Sequence, residues 1–430
     1  MTSISVPALS RVEGEGGLYI DLRDGKAVEV RLDIYEPPRF FEGFLRNRFL
    51  QEVPDITARI CGICPVAYQM SSALALENAL GITVRRSTQA LRRLMYCGEY
   101  IESHALHMFM LQAPDLLGKE SAFELAAIEP ARLKNALRLK KIGNELLRII
   151  GGRSVHPVNV RVGGFYSWPD AAALRGLLED LEWGLETAKE AAKWATTLGF
   201  PDLEIDYEFV ALHSPDEYGV MQGEILSSRG RHIPIQEFEH AYIEKHVRHS
   251  NALHGHTSDG GTYLVGPLAR LNLNHEQLMP TAKQALADAK ISLPIRNPYK
   301  AFLARAIELV NFFEEALQLV SAYAPEGPPH VELRLKAGEG AGATEAPRGL
   351  LYHRYTIDEA GMVQYARIVP PTAQNLPRIE SDLFALAPSL LQLPPDDATR
   401  RAEDLVRAYD PCISCATHFL KVKFTDVGTA

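Results

Sequence analysis

The chain has 430 residues, 46% of them hydrophobic and 8% aromatic, enough to bury one large core or two to three smaller ones. Its 45 basic and 54 acidic side chains leave a net charge of −9, and without a strong Lys/Arg block that balance argues against nucleic-acid binding. No apolar run approaches the roughly 18–20 residues of a membrane helix, and Met1 to Pro7 lack the basic and apolar regions of a signal peptide. A soluble, cytoplasmic chain is expected, although one exported with a partner would need no signal of its own.

The first elements read as β structure. Leu18, Ile20 and Leu22, then Val28, Val30, Leu32 and Ile34, alternate with polar residues around Arg23-Asp24-Gly25-Lys26, which predicts a hairpin. From about Pro65 the apolar period becomes helical, over 65–80, 87–112, 131–150, 168–198, 280–290 and 298–324. Asp170 to Leu198 reads as one helix of several turns, and 200–235 as short β-like runs such as Leu203 to Tyr207. Pro325–Pro329 and the Gly-rich Ala337–Gly342 read as loops, followed by a β pair with Tyr352, Arg354 and Thr356 opposite Tyr365, Arg367 and Val369. With no repeat and no linker, the expected fold is α+β and mostly helical. A central bundle of long helices carries a small N-terminal β layer and peripheral β segments.

Five cysteines are too few and too scattered for a secreted disulfide framework. Four form two Cys-x-x-Cys pairs, Cys61/Cys64 and Cys412/Cys415, and 348 residues separate Cys64 from Cys412. Pro65 suits a first helical turn, and thiolates at a helix N-terminus gain from its partial charge. Structural zinc sites of four cysteines usually close small local folds, whereas this set would join the two ends of the chain. Soft thiolates suit nickel, zinc or iron–sulfur clusters alike, so the residues leave structural zinc and a catalytic or redox metal both open.

The wording around these pairs goes further. Arg59-Ile-Cys-Gly-Ile-Cys64 and Asp410-Pro-Cys-Ile-Ser-Cys-Ala-Thr-His418 resemble the two signatures of nickel–iron hydrogenase large subunits. So do Ser10-Arg-Val-Glu-Gly14, Pro38-Arg-Phe-Phe-Glu42, Glu102-Ser-His-Ala-Leu-His107, His156-Pro with Val162-Gly-Gly164, Gly266-Pro-Leu-Ala-Arg270 and Glu345-Ala-Pro-Arg-Gly349. The resemblance runs from about residue 8 to His418, and the compact length is similar to the alpha subunit of cytoplasmic NAD(P)-linked, sulfhydrogenase-type enzymes. It implies that Cys61, Cys64, Cys412 and Cys415 bind nickel. Cys64 and Cys415 would also bridge to an iron carrying carbon monoxide and two cyanides.

By the same resemblance, Arg348 and Thr372 hydrogen-bond the cyanides, Asp410 pairs with Arg348 or caps the turn before Cys412, and Glu13 passes protons from Cys412. Glu42, the carbonyl of Ile368 and His418 hold a third metal, magnesium or another cation. Tyr68 stands where the family often has a histidine bonded to a bridging thiolate, and its hydroxyl can also donate to sulfur. Residues 1–418 are expected to form a single unit, with the tail 419–430 removed on maturation. The implied activity is reversible oxidation of dihydrogen. Electrons would pass to a small iron–sulfur subunit and then to flavin- and NAD(P)-binding and additional iron–sulfur subunits.

Other readings compete. A related quinone-reducing respiratory subunit typically lacks the four cysteines, and a zinc-stapled scaffold would be non-catalytic. Gly338-x-Gly340-x-x-Ala343 mimics a dinucleotide fingerprint, but Pro347 stops any following helix and no βαβ unit appears. His240, His246, His249, His254 and His256 show no regular ligand spacing and read as surface or interface histidines. Cys97 reads as a small buried hydrophobe.

Overall fold

The computed structural model describes residues 3–23 and 26–418. The expected tail 419–430 and the turn residues Asp24 and Gly25 lie outside them.

Strands β1 (Ser3–Val6), β2 (Gly16–Arg23) and β3 (Lys26–Ile34) form an antiparallel sheet in that order. The expected hairpin is β2 with β3, where Leu18 pairs with Leu32 and Ile20 with Val30. Beyond Asp21 the register slips, so that Leu22 pairs with Ala27. Val28 becomes the extra residue of a bulge and is exposed, while Ala27 is buried in its stead.

A short helix α1 (Phe41–Leu45) precedes the first cysteine pair, and α2 (Pro65–Leu80) follows it. Proline opens α2, and Gly81 ends it at φ +67°, with Gly81 N–H and Ile82 N–H closing on Asn78 and Glu77 carbonyls. Next come α3 (Arg86–Leu106), which runs on into a π-helical turn at His107–Gln112, and α4 (Pro130–Gly151). The helix expected over Asp170–Leu198 is broken. Asp170 caps a single turn at Ala171–Arg175, and the chain restarts at α5 (Leu178–Ala195) after Gly176. Strands β4 (Tyr242–Lys245) and β5 (His254–Thr257) pair with each other, followed by α6 (Pro267–Asn274) and α7 (Ala301–Ser321). Helices α3, α4, α5 and α7 pack as the central bundle.

A second three-stranded antiparallel sheet holds β6 (Gly338–Ala346), β7 (Gly349–Ile357) and β8 (Val363–Val369). In β7 and β8, Tyr352 pairs with Val369, Arg354 with Arg367 and Thr356 with Tyr365, as the alternation predicts. The Gly-rich run read as a loop is strand β6, and Leu203–Tyr207 is not a strand. A Cβ on Gly340 would stand 2.2 Å from the Ala75 carbonyl oxygen, and one on Gly342 2.7 Å from the Ala75 nitrogen. Glycines at every second position therefore let β6 lie directly on the backbone of α2. Helices α8 (Pro371–Leu390), α9 (Pro395–Ala408) and the short α10 (Ile413–Ala416) are the last elements among the described residues. One apolar cluster extends from Ile4 to Ala416 and includes the four paired cysteines. Among the described residues no helix is long and apolar enough to cross a membrane.

Candidate metal centre

Cys61 lies in the loop before α2 and Cys64 at its N-cap; Cys412 and Cys415 flank and occupy α10. All four are buried, and their sulfurs lie within 4.8 Å of one another. Sγ–Sγ separations are 3.5 Å for Cys61–Cys412, 3.9 Å for Cys64–Cys415 and 2.8 Å for Cys412–Cys415. The backbone N–H groups of Ile63 and Cys64 each donate to Cys61 Sγ at 3.3 Å. Thiol donation from Cys412 first, then from Cys415 and Cys64, holds the Cys61 thiol well below the ordinary range. Burial pushes the Cys412 thiol well above it. Four sulfurs this close do not all ionise unaided, and a soft divalent ion that replaces the thiol protons suits them.

Two side chains that fix this geometry, Glu99 and Arg39, are given no site role by the sequence reading. Glu99 of α3 accepts from the Val66 and Ala67 N–H groups at 2.6 and 3.2 Å, capping α2 directly behind Cys64. Arg39 donates through Nη2 to the carbonyls of Ile60, at 2.7 Å, and Ser414, so one guanidinium clasps both cysteine loops. Its partners lie 21 and 375 residues away, beyond any periodicity.

Glu13 reaches the site through an isolated parallel bridge to Cys412, with the Ile413 N–H on the Glu13 carbonyl at 2.9 Å. Its Oε2 lies 3.0 Å from Cys412 Sγ and accepts from the Ser414 N–H at 3.1 Å. This approach requires Gly14, at φ +88°, where a Cβ would meet the Ile413 Cβ at 2.7 Å.

Arg348 Nε donates to the Asp410 carbonyl at 2.9 Å, and Nη2 to its Oδ1 at 3.1 Å. Burial works against the Asp410 carboxyl, yet Arg348, His107 and Arg305 hold it below the usual range. Asp410 takes φ +55°, turning the chain into Cys412. Arg348 Nη1 is buried and has no protein partner, and Thr372 Oγ1 accepts from the Cys412 N–H at 2.9 Å, leaving its proton to donate. Tyr68 is buried with its hydroxyl unpartnered and its ring 5.7 Å from that of His353. Burial, then the Cys415 and Cys64 sulfurs, raises its phenol well above the ordinary range. His353, which the sequence reading missed, bonds the Tyr355 hydroxyl at 2.7 Å and lies close enough to His418 to be depressed by it after burial.

Glu42, Ile368 and His418 meet just past the C-terminus of α10. Glu42 Oε1 accepts from the Ile368 N–H at 2.9 Å, His418 Nε2 stands 2.8 Å from the Ile368 carbonyl oxygen, and Nδ1 contacts the Cys415 carbonyl. Burial lowers the pKa of His418, so the neutral ring donates from one nitrogen only and turns a lone pair toward the other carbonyl. Lone pairs converging with a carboxylate nearby fit a cation.

Two further sequence motifs, Gly266–Arg270 and Glu345–Gly349, build the support for Arg348. Arg270 of α6 donates through Nε and Nη2 to Glu308 at 2.6 and 2.9 Å, and through Nη1 to Glu345 at 3.0 Å. It also holds the Ala346 and Pro347 carbonyls, each at 2.9 Å. The peptide units just before Arg348 are thereby clamped.

A model of the nickel-dependent hydrogenase family matches residues 39–136 and 258–418. The chain is 34% identical to sulfhydrogenase 1 subunit alpha of Pyrococcus furiosus, over 97% of its own length and 98% of the relative's. It is 35% identical to sulfhydrogenase 2 subunit alpha of the same organism, over 97% and 100%. Its structure is similar to that of an NAD+-reducing NiFe hydrogenase in the H2-reduced state, with a TM-score of 0.86 at 26% identity, covering 97% of this chain and 100% of that one.

Proposed function

Because this chain belongs to the nickel-dependent hydrogenase family, as a large, catalytic subunit, we propose that it oxidises dihydrogen reversibly at a nickel–iron centre. Cys61, Cys64, Cys412 and Cys415 would hold the nickel, with Cys64 and Cys415 also serving the iron. The observation that carries this reading is a buried set of four sulfurs with the Glu13 carboxylate 3.0 Å from one of them. When bound, nickel and an iron bearing carbon monoxide and two cyanides supply the Lewis acidity for heterolytic cleavage of dihydrogen.

The chain's own residues supply the proton path and the cage. Cys412 Sγ holds the released proton, and Glu13 Oε2 receives it, oriented by the Ser414 N–H on the same oxygen. Arg348, anchored on Asp410, offers its unpartnered Nη1 to one cyanide, and the Thr372 hydroxyl serves the other. Tyr68 lies beside Cys415 and tunes its sulfur. Glu42, the Ile368 carbonyl and His418 hold magnesium or another hard cation.

Residues 1–418 act as one cytoplasmic unit, and the tail 419–430 is removed after His418. Cys97, the fifth cysteine, is buried alone in α3, so no described cysteine remains for an iron–sulfur cluster. Electrons therefore leave through a small iron–sulfur subunit. The likeness to an NAD+-reducing hydrogenase supports an NAD(P)-binding subunit, and the family resemblance adds flavin-binding and further iron–sulfur subunits.

Infrared spectroscopy of the purified complex tests the reading. Carbonyl and cyanide bands with one nickel per chain are expected, and in Glu13→Gln they persist while hydrogen-dependent dye reduction falls about 100-fold. Zinc with no such bands would refute the assignment.

A further inference from the structure

Outside the cysteine centre, two histidines and a glutamate converge from three elements. His249 lies in the loop between β4 and β5, His254 opens β5, and Glu380 stands in the middle of α8. Glu380 Oε1 lies 2.7 Å from His249 Nε2 and accepts from the Leu32 N–H of β3 at 2.9 Å, while Oε2 lies 3.8 Å from His254 Nδ1. One ligand atom from each residue lies within 4.8 Å of the others. The irregular spacing that makes these histidines look like scattered surface residues is resolved by the fold, which supplies the third ligand from 131 residues away.

His254 is 2% exposed. Nε2 has no partner, and at 3.8 Å Nδ1 is too far from the carboxylate to share a hydrogen bond. Burial holds the ring neutral, with a pKa of about 4. A buried imidazole nitrogen that faces a carboxylate oxygen beyond hydrogen-bond reach leaves both groups undersatisfied, and a cation between them would satisfy both. We propose that His249, His254 and Glu380 form a second metal site, for a divalent transition cation of the zinc class. Two imidazoles and a carboxylate are the donor set such ions take, with a fourth position left to water.

The geometry is close to that required. Bonds of about 2.0–2.1 Å in a tetrahedron put donors about 3.3 Å apart, and one donor from each residue already lies within 4.8 Å of the others, a difference that small side-chain rotations remove. The His249 and Glu380 side chains are 23% and 16% exposed, which lets an ion enter from solvent without disturbing the cysteine centre. The bound ion ties β5 and the loop before it to α8, and through the shared Glu380 carboxylate to β3. Thr372, which receives the Cys412 N–H, lies about 12 Å along the same helix.

Cobalt(II) added to the purified, metal-loaded complex is the direct probe. One equivalent is expected to bind, with the visible bands of a four-coordinate nitrogen–oxygen site, without the thiolate charge transfer that binding at the cysteines would give, and displaced by zinc. His249→Gln and Glu380→Gln are each expected to weaken binding about 100-fold, since loss of a ligand costs at least as much as loss of an outer partner. Circular dichroism serves as the check that both variants are folded. No saturable binding, bands with thiolate charge transfer, or equal affinity in both folded variants would overturn the site.

Discussion

Glu308 carries three donors on one carboxylate with no access to solvent. Arg270 holds both oxygens, His104 Nε2 lies 2.7 Å from Oε2, and the Tyr218 hydroxyl donates to Oε1 at 2.7 Å. Burial alone would push this acid upward, but Arg270, then His104, overcome it and hold the pKa at about 2, against an ordinary 4.5. A folded-state pKa below the unfolded one contributes stability that is complete above pH 4.5 and is lost as pH falls toward 2. The contribution is on the order of 3 kcal/mol. Glu308→Gln is therefore expected to melt earlier at pH 7 and to show a flatter loss of stability between pH 4.5 and 2, measured by thermal unfolding across that range. Equal slopes in variant and parent would mean that the Arg270 cluster is not an ionic anchor. Because Arg270 also grips the Ala346 and Pro347 carbonyls, the same loss would loosen the backbone that presents Arg348.

At the scale of elements, α2 is the part that aims the first cysteine pair, and β6 sets where α2 lies. Gly340→Ala would drive a Cβ to 2.2 Å from the Ala75 carbonyl, where neither backbone can yield. A loss of about 1–3 kcal/mol is expected, together with reduced nickel per chain, because a displaced α2 carries Cys64 with it. Gly62→Ala, between the two cysteines, meets nothing within 4 Å and is expected to keep both stability and nickel; the reverse ranking by melting and metal analysis would contradict this packing argument. The same run marks the limit of sequence reading. Alternate glycines look like a loop or a phosphate fingerprint until a helix backbone is seen lying on them. Helix α8 was missed for a related reason: Pro377 and Pro388 lie inside it, where proline ordinarily signals a break. The hairpin, α2 and the cysteine pairs were legible because their determinants are local: alternation, Pro65 and Cys-x-x-Cys spacing. Arg39, Glu99 and His353 act through partners that only the fold brings near.

Across the whole molecule, the centre joins sulfurs 351 residues apart in the chain, so the last described turn has to be held against the first cysteine loop. The ties among described residues are mostly side-chain ones: Arg39 on Ser414, Glu13 on the Ser414 N–H, Thr372 on the Cys412 N–H and Arg348 on Asp410. The Ile413 N–H on the Glu13 carbonyl and the Arg39 N–H on the Thr417 carbonyl add two backbone bonds. A segment fastened this way opens at lower cost than the helical bundle, where Cys97 sits fully buried in α3. In metal-free protein, Cys412 and Cys415 are therefore expected to react with a thiol reagent well before Cys97, whose labelling waits for global unfolding. Metal binding adds its own free energy to the closed state, so in loaded protein the early phase is expected to vanish and all labelling to follow global unfolding. Mass spectrometry of timed labelling reads both. Simultaneous labelling of all five cysteines in the metal-free chain would mean instead that the two ends close as one cooperative unit, with the metal entering a site already shut.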